Sequence, residues 1–176
     1  MSIEKLAGVM SRREKFCKNL VCRAIDEATK QLGYAELRPN QTLVVNSFLE
    51  GRDVFASMPT GSGKSLCYCL LPKVFDILRG SNSVETQSVV IVVSPLVALM
   101  KDQVRQMTER NMRAVYVGDV DSDTENEVCD GKYQLVYLSP EALLTNVTWR
   151  DMLQSPVYQQ NLVALVIDEA HCVKKW

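Results

Sequence analysis

The residues best suited to chemistry lie between positions 54 and 65, where an apolar run breaks into a glycine-rich turn that ends in a lysine and a hydroxyl. Gly61 and Gly63 permit backbone angles that a Cβ would block, so successive N–H groups can surround phosphate oxygens at a helix N-terminus. Lys64 can then reach the β- and γ-phosphates, and Ser65 can place its hydroxyl on Mg²⁺. The pattern predicts a nucleotide-phosphate loop whose ligands are Thr60, Gly61, Ser62, Gly63, Lys64 and Ser65. Met58 stands where the strict pattern has its first glycine, so a second signal is needed.

That second signal is an apolar run at residues 162–167 followed by Asp168 and Glu169. A continuous apolar run is typical of a strand buried in a parallel sheet, and its acids emerge at the carboxyl edge. Phosphate loops sit at this same edge, so we expect Asp168 to hold Mg²⁺ through water. Glu169 is expected to orient and deprotonate the water that attacks the γ-phosphate. The alternative is a pair of solvated residues after a strand, and Lys64 makes that alternative weaker.

Length and composition limit the classes of protein to consider. The chain has 176 residues, of which 47% are hydrophobic, so one domain with a real core is expected. The net charge of −1 gives no overall basic signature, so nucleic-acid binding would need a local surface. No apolar stretch is long enough to span a membrane and no signal peptide is seen, which predicts an intracellular protein. Six cysteines without a C-x-x-C pair, and a single histidine, give poor ligands for zinc.

A turn near residue 34 carries a possible base-recognition site. Helical spacing of apolar residues predicts an amphipathic helix over residues 11–31, and Pro39 suits the first turn of a second helix. Gln41 has the donor and acceptor geometry to read the N6 and N7 groups of adenine, while Tyr34 or Arg38 can stack on the ring. The alternative is a set of polar surface residues around a helix start.

The remaining pattern alternates strands with helices. Strands are predicted at residues 88–93, 113–117, 134–138 and 162–167, and a helix at 66–78. Ser94-Pro95 and Ser139-Pro140 each predict a capped helix start. The two helix starts give two anion sites at the sheet edge. These sites could hold successive phosphates of one nucleic-acid strand. Ordinary helix capping is the alternative. The acidic residues 119–125 are expected to form a solvated loop leading into a short helix. The pattern predicts an α/β fold, a three-layer and mainly parallel sheet with N-terminal helices.

Five motifs, taken in order, resemble the first RecA-like domain of RecQ-family DNA helicases. They are LGY…LRPNQ at 32–41, MPTGSGKSLCY at 58–68, SPL…LMKDQV at 94–104, YLSPE at 137–141 and DEAHC at 168–172. The resemblance covers residues 32–176, and a methionine at position 58 is usual in that family. It implies a P-loop NTPase domain of a 3′-to-5′ DNA helicase that uses ATP and Mg²⁺, acts on single-stranded DNA and duplex junctions, and is nuclear if the source is eukaryotic.

The resemblance also implies roles for individual residues. Tyr34, Arg38 and Gln41 match the adenine motif, Lys64 and Ser65 the phosphate and Mg²⁺ residues, and Asp168 and Glu169 the hydrolytic pair. His171 matches the residue that links the nucleotide site to the DNA path. The strand-contacting motifs supply six candidate DNA ligands: Ser94, Pro95, Lys101, Gln103, Ser139 and Pro140. Leu37, Asn40 and a short segment at 119–132 depart from the family pattern.

The resemblance divides the chain into an N-terminal helical segment, residues 1–31, and an ATP-binding domain, residues 32–176, expected to be incomplete at its C-terminus. In the family a second RecA-like domain follows, so the chain is expected to be the nucleotide-binding half of a helicase, inactive alone. Two other hypotheses about function remain open. One is a catalytically dead nucleotide- or DNA-binding module acting as a decoy, and the other is a P-loop kinase. A small-substrate kinase has no need of an Asp-Glu-Ala-His motif, which makes the kinase the weakest reading.

Overall fold

The structure, a computed structural model, describes residues 16–59, 61–81, 83 and 87–170. Thr60 and His171 lie outside the described residues, as does the start of the helix expected from residue 11. Contacts along the chain divide it into two compact units, Met1–Ser81 and Asn82–Trp176. Each unit is described by itself.

The first unit contains helices α1 (Lys18–Gln31), α2 (Pro39–Leu49), α3 (Lys64–Cys69) and α4 (Leu71–Arg79) in its described part. The predicted amphipathic helix is confirmed as α1, which buries Ala24, Ile25 and Ala28 on one face and packs against α4. Pro39 is the first residue of α2, as expected, because its fixed φ and missing N–H suit that position. The described helix α1 begins at Lys18, after its N-cap Cys17 and later than the expected start at residue 11, whereas its end at Gln31 is as expected.

The helix predicted over residues 66–78 is instead two helices, α3 and α4, which meet at Leu70. Pro72 is the physical reason, since it has no N–H to donate to the carbonyl of Tyr68 and so interrupts the helical hydrogen bonds. Residues 64 and 65 belong to α3, so the helix starts directly after the glycine turn.

The apolar residues before the turn lie in no helix or strand. Phe55 is 85% exposed, which is unusual for a large aromatic residue, and Val54 is also exposed. The expectation that the phosphate loop sits at a sheet edge therefore remains a prediction.

The second unit contains a parallel sheet whose described strands are β1 (Val89–Val93), β2 (Ala114–Tyr116), β3 (Leu135–Leu138) and β4 (Leu162–Ile167). Their order is β2–β3–β1–β4, and every pairing is parallel. All five residues of β1 are buried, in keeping with its central place and its β-branched composition. The four predicted strands are confirmed, with ends shifted by no more than one residue.

Helices connect and flank these strands. They are α5 (Val97–Thr108), α6 (Ser122–Cys129), α7 (Pro140–Thr145), α8 (Val147–Gln154) and α9 (Pro156–Asn161), with a 3₁₀ turn at Val117–Asp119. The acidic stretch behaves as expected: Asp121 caps α6 by accepting a hydrogen bond from the Thr124 amide at 2.8 Å. A parallel sheet flanked by helices confirms the α/β fold class. None of the described helices is both long and apolar enough to cross a bilayer.

Tyr158 ties α9 to α6 inside the second unit. Its side chain is fully buried, and its hydroxyl donates to the carbonyl oxygen of Val128 at 2.8 Å. Burial raises the pKa of this phenol well above its usual range, so the hydroxyl keeps its proton and remains a donor. The same carbonyl accepts a hydrogen bond from the Gly131 amide at 2.9 Å, so the tyrosine hydroxyl is its second donor.

We expect Tyr158→Phe to lower the free energy of unfolding by about 0.5–1.5 kcal/mol, because a buried hydrogen bond is lost while the Val128 carbonyl keeps its bond from the Gly131 amide. Tyr133→Phe is the matched control, since the Tyr133 hydroxyl donates to Glu127 at 3.2 Å in a partly exposed setting. There water can replace the lost bond, so the loss should stay below about 0.5 kcal/mol. Urea unfolding followed by circular dichroism measures both, and equal losses would contradict the role of burial.

Candidate functional site

The turn before α3 has the backbone conformation that a phosphate loop needs. Gly61 and Gly63 have φ angles of 77° and 80°, a left-handed conformation that residues with a Cβ adopt only with strain. The Ser62 amide donates to the Pro59 carbonyl at 3.2 Å, which closes the turn. Gly63 is the N-cap of α3, so Lys64 and Ser65 are the first two residues of the helix. The structure thus places the predicted lysine and hydroxyl side by side at a helix N-terminus.

Two residues of the predicted adenine motif are hydrogen bonded to this loop. The Gln41 amide nitrogen donates to the carbonyls of Gly63 at 3.0 Å and Ser62 at 3.3 Å. The Arg38 guanidinium also donates to the Ser62 carbonyl, at 3.2 Å. The Gln41 side-chain oxygen in turn accepts from the Arg38 amide at 2.8 Å, which satisfies the backbone N–H of the N-cap residue of α2. The start of α2 and the phosphate loop are therefore one hydrogen-bonded assembly.

These hydrogen bonds give Gln41 a structural role, in addition to the predicted recognition of adenine. Its residue surface is only 3% exposed, and both N–H groups are directed at loop carbonyls. Donation to a base would require these bonds to exchange, so the adenine-reading role remains a prediction. Arg38 is exposed and Tyr34 half-buried, and both lie within the same unit. The sequence did not predict that Gln41 links the start of α2 to the loop. Its hydrogen-bond partners lie more than twenty residues away and leave no local pattern.

Gly63 is required for this contact by space as well as by backbone angle. A Cβ at Gly63 would lie 2.6 Å from the Gln41 amide nitrogen, whereas a Cβ at Gly61 would meet nothing within 4 Å. Ser62 adds a different feature: its hydroxyl oxygen is buried and has no hydrogen-bond partner among the described residues. Buried polar atoms are normally satisfied, so this hydroxyl suits pairing with a ligand oxygen.

In the second unit, Asp168 and Glu169 form a tight turn at the end of β4. The Asp168 amide extends the ladder by donating to the Val93 carbonyl at 2.9 Å, and an Asp168 carboxylate oxygen accepts from the Glu169 amide at 3.0 Å. Glu169 has a φ of 54°, which costs a non-glycine residue about 1–2 kcal/mol. Both residues are half-buried. The Glu169 amide thus holds the Asp168 carboxylate, and left-handed non-glycine residues of this kind are common at functional sites.

The strand register places three predicted residues at one edge of the sheet. Val93 is aligned with Leu138 on one side and with Ile167 on the other. Ser94, Ser139 and Asp168 directly follow these three residues, and the Ser94 amide donates to the Leu138 carbonyl at 3.1 Å. Both Ser-Pro segments therefore lie at the carboxyl edge of the sheet with Asp168, and the expectation that the phosphate loop shares this edge stays a prediction.

The two Ser-Pro segments differ in detail. Ser139 caps α7 as predicted, accepting from the Ala142 amide at 3.1 Å, and Pro140 is the first helical residue. The same prediction is wrong for Ser94: α5 begins at Val97 with Leu96 as its N-cap, and the Ser94 hydroxyl accepts from the Leu96 amide at 3.4 Å. The reason is that the chain turns after β1 before the helix begins, so Ser94 closes that turn and is 1% exposed.

The candidate DNA ligands are therefore unequally accessible. Gln103 is 6% exposed and Pro140 is buried, so packing explains these side chains better than direct contact with a strand does. Pro95 and Ser139 are half-buried. Lys101 is exposed, and its ammonium forms an ion pair with Asp119 at 2.8 Å. Asp119 is the residue that the sequence analysis missed, because the two charges are far apart along the chain.

Comparison with known proteins assigns the family. Residues 38–176 match the family model described as DEAD/DEAH box helicase. The chain belongs to this family. It is 39% identical over 144 residues to the ATP-dependent helicase SGS1 of Saccharomyces cerevisiae, covering 79% of this chain and 10% of that protein. It is 34% identical over 149 residues to the ATP-dependent DNA helicase RecQ of Haemophilus influenzae, covering 82% of this chain and 22% of that protein.

A solved structure supports the fold of this helicase chain. The crystal structure of the DUF1998 helicase MrfA bound to DNA and AMPPNP is similar, with a TM-score of 0.64 and 20% sequence identity. The match covers 97% of this chain and 26% of that one. The chain thus spans a quarter or less of the two curated relatives and about a quarter of this structure.

The residues predicted to hold Mg²⁺ have suitable chemistry. Ser65 and Asp168 supply a hydroxyl and a carboxylate, the oxygen ligands that Mg²⁺ prefers, and Mg²⁺ commonly takes one or two protein ligands with substrate phosphates and water. Within the described ranges no three His, Cys, Asp or Glu side chains gather as a metal-binding cluster. Each of the two residues by itself therefore offers an oxygen of the type that Mg²⁺ binds together with a nucleotide.

The glycine pair in the loop of this helicase chain generates a prediction. Alanine at either position must adopt a positive φ, at a cost of about 1–2 kcal/mol. We expect Gly63→Ala to destabilise the chain by about 1 kcal/mol more than Gly61→Ala, since it also displaces the Gln41 amide from its loop carbonyls. Urea unfolding measures the difference.

The Gln41→Ala background supplies the control. Removing the side-chain amide removes the clash, so the two glycine substitutions should then cost the same. A difference that persists in this background would show that Gln41 is not the cause.

Proposed function

We propose that the chain is the ATP-binding part of a RecQ-family helicase that unwinds DNA in the 3′-to-5′ direction. The observation that supports it most is the phosphate loop, with two left-handed glycines, Lys64 and Ser65 at a helix start, and Gln41 bonded to its carbonyls. The family match and the RecQ relatives support the same proposal.

The nucleotide roles follow from the chemistry of each group. Lys64 binds the β- and γ-phosphates as a charged donor, and loop N–H groups at residues 60–65 bind their oxygens. Tyr34 and Arg38 contact the adenine ring, and Gln41 exchanges its loop carbonyls for the base edge when ATP is present. Binding of the base would then change the hydrogen bonds between Gln41 and the loop that holds the phosphates.

Hydrolysis would use the pair after β4. Glu169 is the base that orients the attacking water in this proposal. Asp168 and Ser65 would hold Mg²⁺, which would supply positive charge that offsets the charge of the phosphate oxygens. His171 is proposed to relay the state of the nucleotide to the DNA path.

DNA is the proposed polymer substrate, as a single strand or at a duplex junction. Lys101 is the side chain best placed for a phosphate contact, because it is exposed and charged. Backbone N–H groups near Pro95 and Ser139 can add contacts that need no side-chain charge. Lys101, with these two segments, would hold successive phosphates along the carboxyl edge of the sheet.

A second RecA-like domain is the proposed partner for turnover, and a nuclear location follows if the source is eukaryotic. Arginines from such a domain would stabilise the charge that develops on the γ-phosphate. A nucleotide- or DNA-binding module without turnover is the second candidate. It predicts the same binding by Lys64, and it differs only in hydrolysis when a second domain is supplied.

We expect Lys64→Ala to weaken binding of a fluorescent ATP analogue about 10- to 100-fold without unfolding the chain, since a charged hydrogen-bond donor to phosphate is lost. Equilibrium titration with Mg²⁺ present measures the affinity, and circular dichroism checks the fold. Lys73→Ala, in the first turn of α4, is the matched control and should bind as the parent does. Undiminished binding by Lys64→Ala would refute the nucleotide site.

We also expect the 176 residues alone to bind ATP but to hydrolyse it slowly and to leave a forked duplex intact. Arginine fingers accelerate phosphoryl transfer by about 10³–10⁵, and Glu169 alone cannot supply that factor. Phosphate release is measured with and without single-stranded DNA, alongside strand separation. DNA-stimulated turnover at about 1 s⁻¹ or faster, within the usual enzyme range, would contradict the proposal.

A further inference from the structure

Lys101 contacts two side chains, that of Tyr116 at the end of β2 and that of Asp119 just after it. Its ammonium nitrogen lies 2.8 Å from an Asp119 carboxylate oxygen and 5.5 Å from the centre of the Tyr116 ring. The hydrogen bond to Asp119 raises the pKa of Lys101 above its usual value, so the pair favours the charged amine. A carboxylate and an aromatic face therefore hold the same cation.

The positions of the Tyr116 ring and the Asp119 carboxylate around Lys101 depend on the local backbone of the 3₁₀ turn. A Cβ at Gly118 would overlap the Tyr116 hydroxyl, so only glycine lets the ring lie across the turn. Asp119 is the last residue of that turn, directly after Gly118. The turn thus presents ring and carboxylate together to the exposed face of α5.

We propose that the Asp119 carboxylate competes with DNA phosphate for the Lys101 ammonium. Asp119 then holds Lys101 until a phosphate of the bound strand displaces the carboxylate. This inference rests on the proposed function, which makes Lys101 a phosphate ligand. Asp119 is then a positioning residue: it sets the affinity and salt dependence of strand binding without touching DNA.

The exposure of the pair makes the exchange physically easy. The side chains of Lys101 and Asp119 are 54% and 74% exposed, and exposed ion pairs contribute little net stability. A phosphate oxygen offers the ammonium the same kind of charged acceptor that the carboxylate does. Releasing Lys101 therefore costs little, yet the carboxylate must be displaced by every strand that binds.

A double-mutant cycle on the 176-residue chain tests the inference. Fluorescence anisotropy of a labelled oligothymidylate measures affinity over a range of salt concentrations for the parent, Asp119→Asn, Lys101→Gln and the double variant. Asp119→Asn should bind about two- to fivefold more tightly at low salt, the size expected for loss of an exposed ion pair. Lys101→Gln should bind more weakly, with a log–log salt slope shallower by about 0.7. The double variant should behave as Lys101→Gln does.

Glu50→Gln is the matched control, because it adds the same charge and frees a cation from an equally short, exposed ion pair, Glu50 with Arg52 at 2.7 Å. It should tighten binding less than Asp119→Asn does. Circular dichroism confirms that each variant is folded.

The outcomes separate the inference from the proposed function. Equal gains from Asp119→Asn and Glu50→Gln, or a gain that persists with Lys101→Gln, would overturn the competitor role while leaving DNA binding in place. Parent-like binding by Lys101→Gln would also overturn it. If no variant binds the strand at low salt, the proposed DNA contact fails, and the inference fails with it.

Discussion

The parallel register of β1 with β3 and β4 is the constraint on which the second unit depends. Because Val93 is level with both Leu138 and Ile167, the next residue on each strand comes to the same edge. Ser94, Ser139 and Asp168 are thereby brought together from distant parts of the chain. A slip of one residue in any strand would turn its side chains to the opposite face and separate the set.

In each unit the polar groups of the candidate functional residues are held by hydrogen bonds within that unit. Gln41 is bonded to two loop carbonyls, Lys101 to Asp119, and the Asp168 carboxylate to the Glu169 amide. Each of these bonds joins a group that a ligand could also engage. Binding would then be an exchange of partners, so its net free energy is much smaller than the new contacts alone suggest.

Pattern-based prediction worked where the signal is local. Strands of Val, Ile and Leu are fixed by burial, and the starts of α2 and α7 are fixed by a proline at the first helical residue. It failed where one residue outweighed the pattern. Pro72 divided the expected helix in two, and the turn after β1 took Ser94 away from the helix it was expected to cap.

The sequence by itself determined the α/β class, the phosphate loop and the acidic pair, because glycine, lysine and carboxylate chemistry at short spacing needs no distant partner. Only the tertiary structure decided which polar groups are paired. Gln41 finds its carbonyls more than twenty residues away and Lys101 finds Asp119 eighteen residues away. Such pairings follow from how helices and turns pack, and packing is set by the whole core rather than by neighbours in sequence.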